Sequence, residues 1–391
     1  LRVVIAGAGI GGLTTALSLH AAGITDVVVH EAVAEIRPLG VGINILPHAV
    51  RELVELGLGD RLAEIGVPTA DLTYVNRHGQ VIWSEPRGMA AGYNWPQYSI
   101  HRGRLQFMLL DAVKERLGPG AVVTGSPVTG LDHDADLLVG ADGIRSSVRA
   151  ALFPEEGPPL WSGQVLWRGT TYAKPYMTGR SMLMAGDDRQ RVVIYPIAPP
   201  EPDGRVLINW AIQRKAPETT PRGDWNRQVE LEKFVHHVAD WHFDWLDVPG
   251  LISAAEAVYE YPMVDRDPLP HWSTDTVTLL GDAAHPMYPT GSNGGTQAVI
   301  DARVLANALA TGRGLAYYES QRRPTTNAIV QSNRRDGPEV VLRLAHERAP
   351  EGFADIEDVI PRAELEEIAL GYKQTAGFVP AALNERASWS V

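Results

Sequence analysis

A glycine-rich turn set between an apolar run and a helix-forming run constrains this chain more than any other feature. Residues 3–32 read VVIAGAGIGGLTTALSLHAAGITDVVVHEA. Gly7, Gly9 and Gly12 stand at GxGxxG spacing, after a buried-strand pattern over 3–7 and at the start of a helix pattern over 11–22. A second strand pattern, 26–30, ends at Glu31. The right-handed βαβ crossover brings the helix N-terminus to the C-terminal edge of the first strand. There Gly7 makes the tight turn, Gly9 admits a pyrophosphate to the backbone, and Gly12 lets helix and strand pack closely. Free N–H groups and the helix dipole hold the phosphates, and Glu31 accepts hydrogen bonds from an adenosine ribose. The loop alone leaves NAD and FAD both open.

Composition narrows the class. A chain of 391 residues accommodates two or three domains or one elaborated α/β domain. The formal net charge of −12, with no basic cluster, excludes a nucleic-acid surface. The lack of cysteine excludes disulfides and thiolate metal sites. No stretch has membrane-spanning length and none reads as a signal peptide, so the expectation is a cytoplasmic enzyme with no membrane partner. His236 and His237 fall on a predicted helix over 228–241, where adjacent side chains diverge, so no metal site is expected.

Further along, residues 71–83 read as a hairpin turning at His78–Gly79, and DADLLVGADG as another buried strand. From about residue 161 to 265 strand-like pieces alternate with Pro, Gly and Asp turns, as in an inserted antiparallel sheet. The fold class expected is α/β: a Rossmann-like FAD-binding domain, an inserted mostly antiparallel β-sheet substrate domain and a helical C-terminal tail. The first comprises residues 1–68, 99–160 and 266–337, the second 69–98 and 161–265, and the tail 338–391. The tail shows no nameable chemistry.

The choice of cofactor is made by LLGDAAHPMYPTGSNGGTQAVIDA, residues 279–302. It repeats the strand–acid–glycine turn–helix pattern, which an NAD dehydrogenase does not need and a flavin does. Asp282 suits the ribityl hydroxyls, and the amides near Gly294 and Gly295 suit a pyrimidine edge that becomes anionic on reduction. A resident FAD follows.

Taken together, the GxGxxG turn, VGADGIRSSVR at 139–149 and LLGDAAHPMYP at 279–289 resemble the single-component, para-hydroxybenzoate-hydroxylase-like flavoprotein monooxygenases. Within them PLGVGINILPHAV, EPRG, QYSIHRG and YPMVDRDPLPHW are most similar to the phenazine hydroxylases of the pyocyanin pathway. The resemblance implies that Arg102 contacts the flavin's phosphate and ribityl region, and that Asp142 belongs to a motif linked to FAD and nicotinamide binding. The Val41–Asn44 loop, including Gly42 and Asn44, would lie along the isoalloxazine, and Val128 on the adenine side. Arg145 and Arg149 would neutralise charge or form salt bridges within the domain, and His285 would be structural. Two departures stand out: Ser292 and Asn293 interrupt the usual glycine turn, and VVTGSPVTGLDHDADLLVGADG, residues 122–143, is short where the family places a longer hairpin before its last strand, either deleted or absent from the numbering.

The implied reaction is hydroxylation of an aromatic or N-heteroaromatic small molecule by O2, through a flavin C4a-hydroperoxide, with NADH or NADPH binding transiently. A carboxylate on the attacked carbon would leave as CO2. Alternatives are epoxidation, N-hydroxylation, or a flavin redox sensor without turnover. Strand alternation groups Val193 with Tyr195 and Ile208 with Trp210. Val193, Tyr195, Trp210 and Pro289 are the expected substrate lining, and no catalytic acid or base is assigned.

Overall fold

In the computed structural model, which describes residues 1–38, 40–216 and 227–391, the opening strand Val3–Ala6 is the centre of a five-stranded parallel sheet. Its neighbours are Leu137–Gly140 and Val27–His30, with Val277–Leu279 and Val122–Val123 at the edges. The helix Ile10–Ala21 packs between the helices Arg102–Leu117 and Gly294–Ala310. Contact dictates the glycines. Gly7 has φ +101°, and an added Cβ would lie 2.5 Å from the Ala141 carbonyl oxygen. A Cβ on Gly12 would overlap the Gly7 carbonyl.

The inserted sheet has eight strands. From one edge they are Arg227–Gln228, Val258–Asp265, Leu160–Ala173, Val206–Lys215, Gln190–Pro196, Ser181–Gly186, Asp71–Val75 and Val81–Pro86. All neighbours are antiparallel except Ser181–Gly186 beside Asp71–Val75. One face buries Trp167, Ile194, Ile208, Trp210, Ile212 and Phe234. The other buries Tyr74, Met182, Met184 and Tyr195 beneath the C-terminal segment, which includes helices Val340–Arg348 and Arg362–Thr375. The tail therefore completes the second core of the sheet.

Two expectations are corrected. Residues 228–241 form no α-helix: Gln228 ends a short strand, and Leu231–Lys233 and Val235–Val238 are single 3₁₀ turns. Phe234 stacks on Trp167 at 5.2 Å, while Glu260 ties down Arg227 and Lys233. Tertiary contacts thus override the helical period. His236 and His237 do not diverge, for their rings lie 3.9 Å apart. No group of three metal-ligating side chains exists among the described residues.

Residues 124–136, between the strands Val122–Val123 and Leu137–Gly140, form neither helix nor strand and are pinned where Asp136 accepts the Arg2 amide at 2.7 Å. No helix among the described residues is long and apolar enough to cross a membrane.

Candidate active site

The parallel sheet and the two glycine turns open onto one cleft of about 1290 Å³, solvent mouth included. Gly9, Gly11, Ala141, Asp282, Gly294 and Gly295 are on its wall. A Cβ on Gly9 would meet nothing within 4 Å, so this backbone faces open space. The helices beginning at Ile10 and Gly294 carry no side-chain cap, so their first N–H groups remain available. Asp282 is open to the cleft although protein surrounds it, and among the described residues none donates a hydrogen bond to it. Burial raises its pKa, His285 and Arg102 oppose the shift, and Asp301 adds to it. Unpartnered donors thus share a cleft with an unpartnered carboxylate, a set that fits the phosphates, ribityl hydroxyls and pyrimidine edge of FAD.

The Glu31 carboxylate braces the glycine loop, accepting from Ala8 N at 2.8 Å and Val33 N at 3.0 Å. Each oxygen keeps a second lone pair for a ribose. Arg102 starts its helix at the cleft wall. Gly42 and Asn44, expected on a loop, belong to a strand, Gly42–Ile45, paired with Tyr98–His101. Gly42 N donates to Asn209 Oδ1 at 2.7 Å, and its carbonyl accepts from Arg168 at 3.0 Å. A Cβ there would come 2.6 Å from the Tyr195 ring. Only glycine brings this strand so close to the inserted sheet.

Asp142 is not on the cleft wall. Its Oδ2 accepts the Ser147 amide at 2.7 Å, at the start of helix Ser147–Leu152. Arg149 pairs with Glu156 and donates to the carbonyls of Ala283 and Ala284, each at 3.0 Å. It therefore clamps the GADG motif to the GDAAHP motif. Val128 is half-buried against the main core, outside the cleft lining. His285 is buried, 2.5 Å from Asp301 Oδ2, and Asp301 also holds Arg322.

A narrow chamber adjoins the cleft. Asn44, Arg168, Tyr195, Pro289 and Ser292 border both, while Met182, Met184, Val193 and Ala211 extend it along the inserted sheet. Trp210 lies on the opposite face: fully buried, it donates to Thr171 Oγ1 at 3.1 Å and packs on Phe234 at 6.2 Å. The register explains the correction. Tyr195 stands opposite Asn209, and Ile194 opposite Trp210, and directly opposed residues share a face.

Arg168 and Asn209 escaped the sequence reading; Asn209 interrupts the apolar run VLINWAI and Arg168 ends the run VLW, which is the signal that could have found them. Ser292, read there only as an interruption of the glycine turn, borders both cleft and chamber. Ser292 has φ +58° and follows Gly291 at +67°, where a Cβ would overlap the Tyr372 hydroxyl. Tyr372, from the tail, accepts from Asn293 Nδ2 at 2.9 Å.

A family model described as FAD binding domain matches residues 118–333. The phenazine 1,6-dicarboxylic acid hydroxylase PhzS of Lysobacter antibioticus is 48% identical over 361 residues, covering 85% of this chain and 89% of the relative. The 6-hydroxynicotinate 3-monooxygenase of Pseudomonas fluorescens is 27% identical, covering 88% and 90%. The structure of Klebsiella pneumoniae HpxO complexed with FAD and uric acid shares the fold with a TM-score of 0.75 at 24% identity, covering 97% and 98%. With its glycine-lined cleft and adjoining chamber, the chain belongs to the single-component FAD-dependent monooxygenases that hydroxylate aromatic and heteroaromatic rings.

Proposed function

We propose that this enzyme hydroxylates a planar, fused nitrogen-heteroaromatic acid, with electrons from NADH or NADPH bound transiently. The observation that supports this reading is the chamber itself, apolar along Met182, Met184 and Val193 and joined to the cleft beside Arg168 and Tyr195. Flat rings suit such walls, and thioether sulfurs pack well at ring edges. The Lysobacter relative is named for a phenazine dicarboxylic acid, a ring system of this shape.

The bound flavin supplies the single-electron chemistry that O2 requires. The chain's own groups bind and orient. The Gly9–Gly11 turn and Arg102 take the phosphates, Glu31 the adenosine ribose, Asp282 a ribityl hydroxyl, and the Gly294 and Gly295 amides the pyrimidine edge. Val128 flanks the adenine, and Asp142 acts through the turn it holds. Burial raises the Tyr195 pKa against the pull of the Arg168 guanidinium on its hydroxyl. Tyr195 therefore stays protonated and orients a substrate without abstracting its proton. One oxygen atom enters the ring and the other leaves as water, with two electrons from the nicotinamide. Where the attacked carbon bears a carboxylate, CO2 leaves in place of a proton.

A panel of aromatic acids and N-heteroaromatics, screened for stimulated NAD(P)H oxidation, tests the reading. Fused N-heteroaromatic acids should stimulate most, and ¹⁸O2 should put one labelled atom in the product. Unlabelled product, or no stimulation by any ring, overturns it.

A further inference from the structure

We infer that a second cavity, behind the first chamber, anchors a carboxylate at the end of the substrate remote from the flavin. The inference deepens the proposed function and rests on it. The cavity lies between the Asp71–Pro86 hairpin and the C-terminal helices, and Met182, Met184 and Ser292 border both it and the chamber. Its walls are largely apolar, with Leu72, Val341 and Leu365 among them.

Four polar atoms on that surface lack partners. Tyr74 Oη, Trp83 Nε1, Arg87 Nε and Gln97 Oε1 are all buried and have no hydrogen-bond partner among the described residues. Tyr74 and Gln97 are each only 2% exposed. Buried polar groups are nearly always paired, so four orphans on one wall point to a ligand that pairs them. Three are donors, and the Gln97 amide offers another donor by a half-turn.

The charge balance agrees. Glu85 lies between Arg87, at 2.8 Å, and Lys373, at 2.6 Å. Burial pushes the Glu85 carboxyl up, but Arg87 and Lys373 together hold it below its ordinary range, so it stays ionised. Two cations then face one anion, leaving one positive charge in excess. The nearby acids Asp336 and Glu339 share Arg191, Asp336 also reaches Arg343, and Glu339 is on the first chamber's wall. Unpartnered donors, two cations around one carboxylate and apolar walls select a carboxylate borne on an aromatic ring. Anchoring that group against Arg87 fixes which ring carbon reaches Pro289 and Ser292 at the cleft. Arg87 is thus a specificity residue for orientation.

The test uses FAD-loaded enzyme, flavin-absorbance titrations, and matched acid and carboxamide probes on phenazine, quinoline and benzene rings, including phenazine-1,6-dicarboxylic acid. Wild type should prefer acid over carboxamide by about tenfold or more, and Arg87→Gln should bring the ratio below about threefold. Tyr74→Phe keeps every charge and guards against misfolding; it should weaken acid binding by about three- to tenfold with normal FAD content. Acid and carboxamide binding alike to wild type, or variants that keep the wild-type ratio, overturns the anchor. Phenazines that fail to bind while quinoline or benzene acids show the Arg87-dependent preference would overturn the fused-ring reading and leave the anchor standing.

Discussion

Asp282→Ala and Asp142→Ala separate a residue that holds the cofactor from one that holds a turn. Asp282 receives no hydrogen bond from the described protein, whereas Asp142 accepts from Ser147 N at 2.7 Å and Val148 N at 3.4 Å. A ribityl hydroxyl donating to an ionised carboxylate is worth about 1.5–3 kcal/mol, or roughly ten- to 150-fold in Kd for FAD. The apoprotein loses no such bond in Asp282→Ala. Burial raises the folded-state pKa of Asp282, with Asp301 adding and His285 and Arg102 opposing. Between the unfolded and folded values the folded chain binds more protons, so stability falls as pH rises through that window. At pH 7 the ionised carboxylate is a net cost. Asp282→Ala should therefore raise the Tm of apoprotein at pH 7, and the gain should vanish below about pH 4. Asp142→Ala removes an acceptor at a helix start, a loss of about 0.5–2 kcal/mol less the relief of its buried charge. Its FAD Kd should change by less than about threefold. Thermal melts of apoprotein and flavin-fluorescence titrations supply both readouts. An unchanged FAD Kd in Asp282→Ala, or equal Kd changes in both variants, would refute the reasoning.

Gly42→Ala should cost about 1–3 kcal/mol through overpacking against Tyr195, Ile197 and Asn209, and a melt together with the flavin-to-protein absorbance ratio should show both stability and FAD content falling. Trp210→Phe should lower stability by about 1–3 kcal/mol and leave KM unchanged, because the indole lies on the sheet face away from the chamber. Tyr195→Phe should do the reverse, raising KM about two- to tenfold with little change in Tm; a larger effect of Trp210→Phe on KM would put the lining on the wrong face. Tyr372→Phe removes the hydroxyl bonded to Asn293 and Asn333 and should weaken FAD retention more than it lowers Tm, as read by flavin release on dilution.

What can be read from the sequence follows from the range of the contacts involved. The first glycine turn is readable because the Gly7 and Gly12 requirements arise within one βαβ unit and its parallel neighbour. FAD itself is readable because phosphates and ribityl hydroxyls demand the same groups wherever they bind. The substrate side is different. Strands Gln190–Pro196 and Val206–Lys215 are buried on both faces, so alternation tells which residues share a face and not which face meets the ligand. Trp210 faces away from the chamber, and the polar residues Asn209 and Arg168 mark it better. The tail shows no motif because it works through distant contacts, Tyr372 with Asn293 and Lys373 with Glu85. The EPRG stretch, in sequence only a likeness, acquires a physical meaning from that second contact. Glu85 and Arg87 stand two residues apart at the end of a strand, and the same cavity includes both on its wall. Lys373 reaches the pair from the tail, so that two cations flank one carboxylate on the cavity wall.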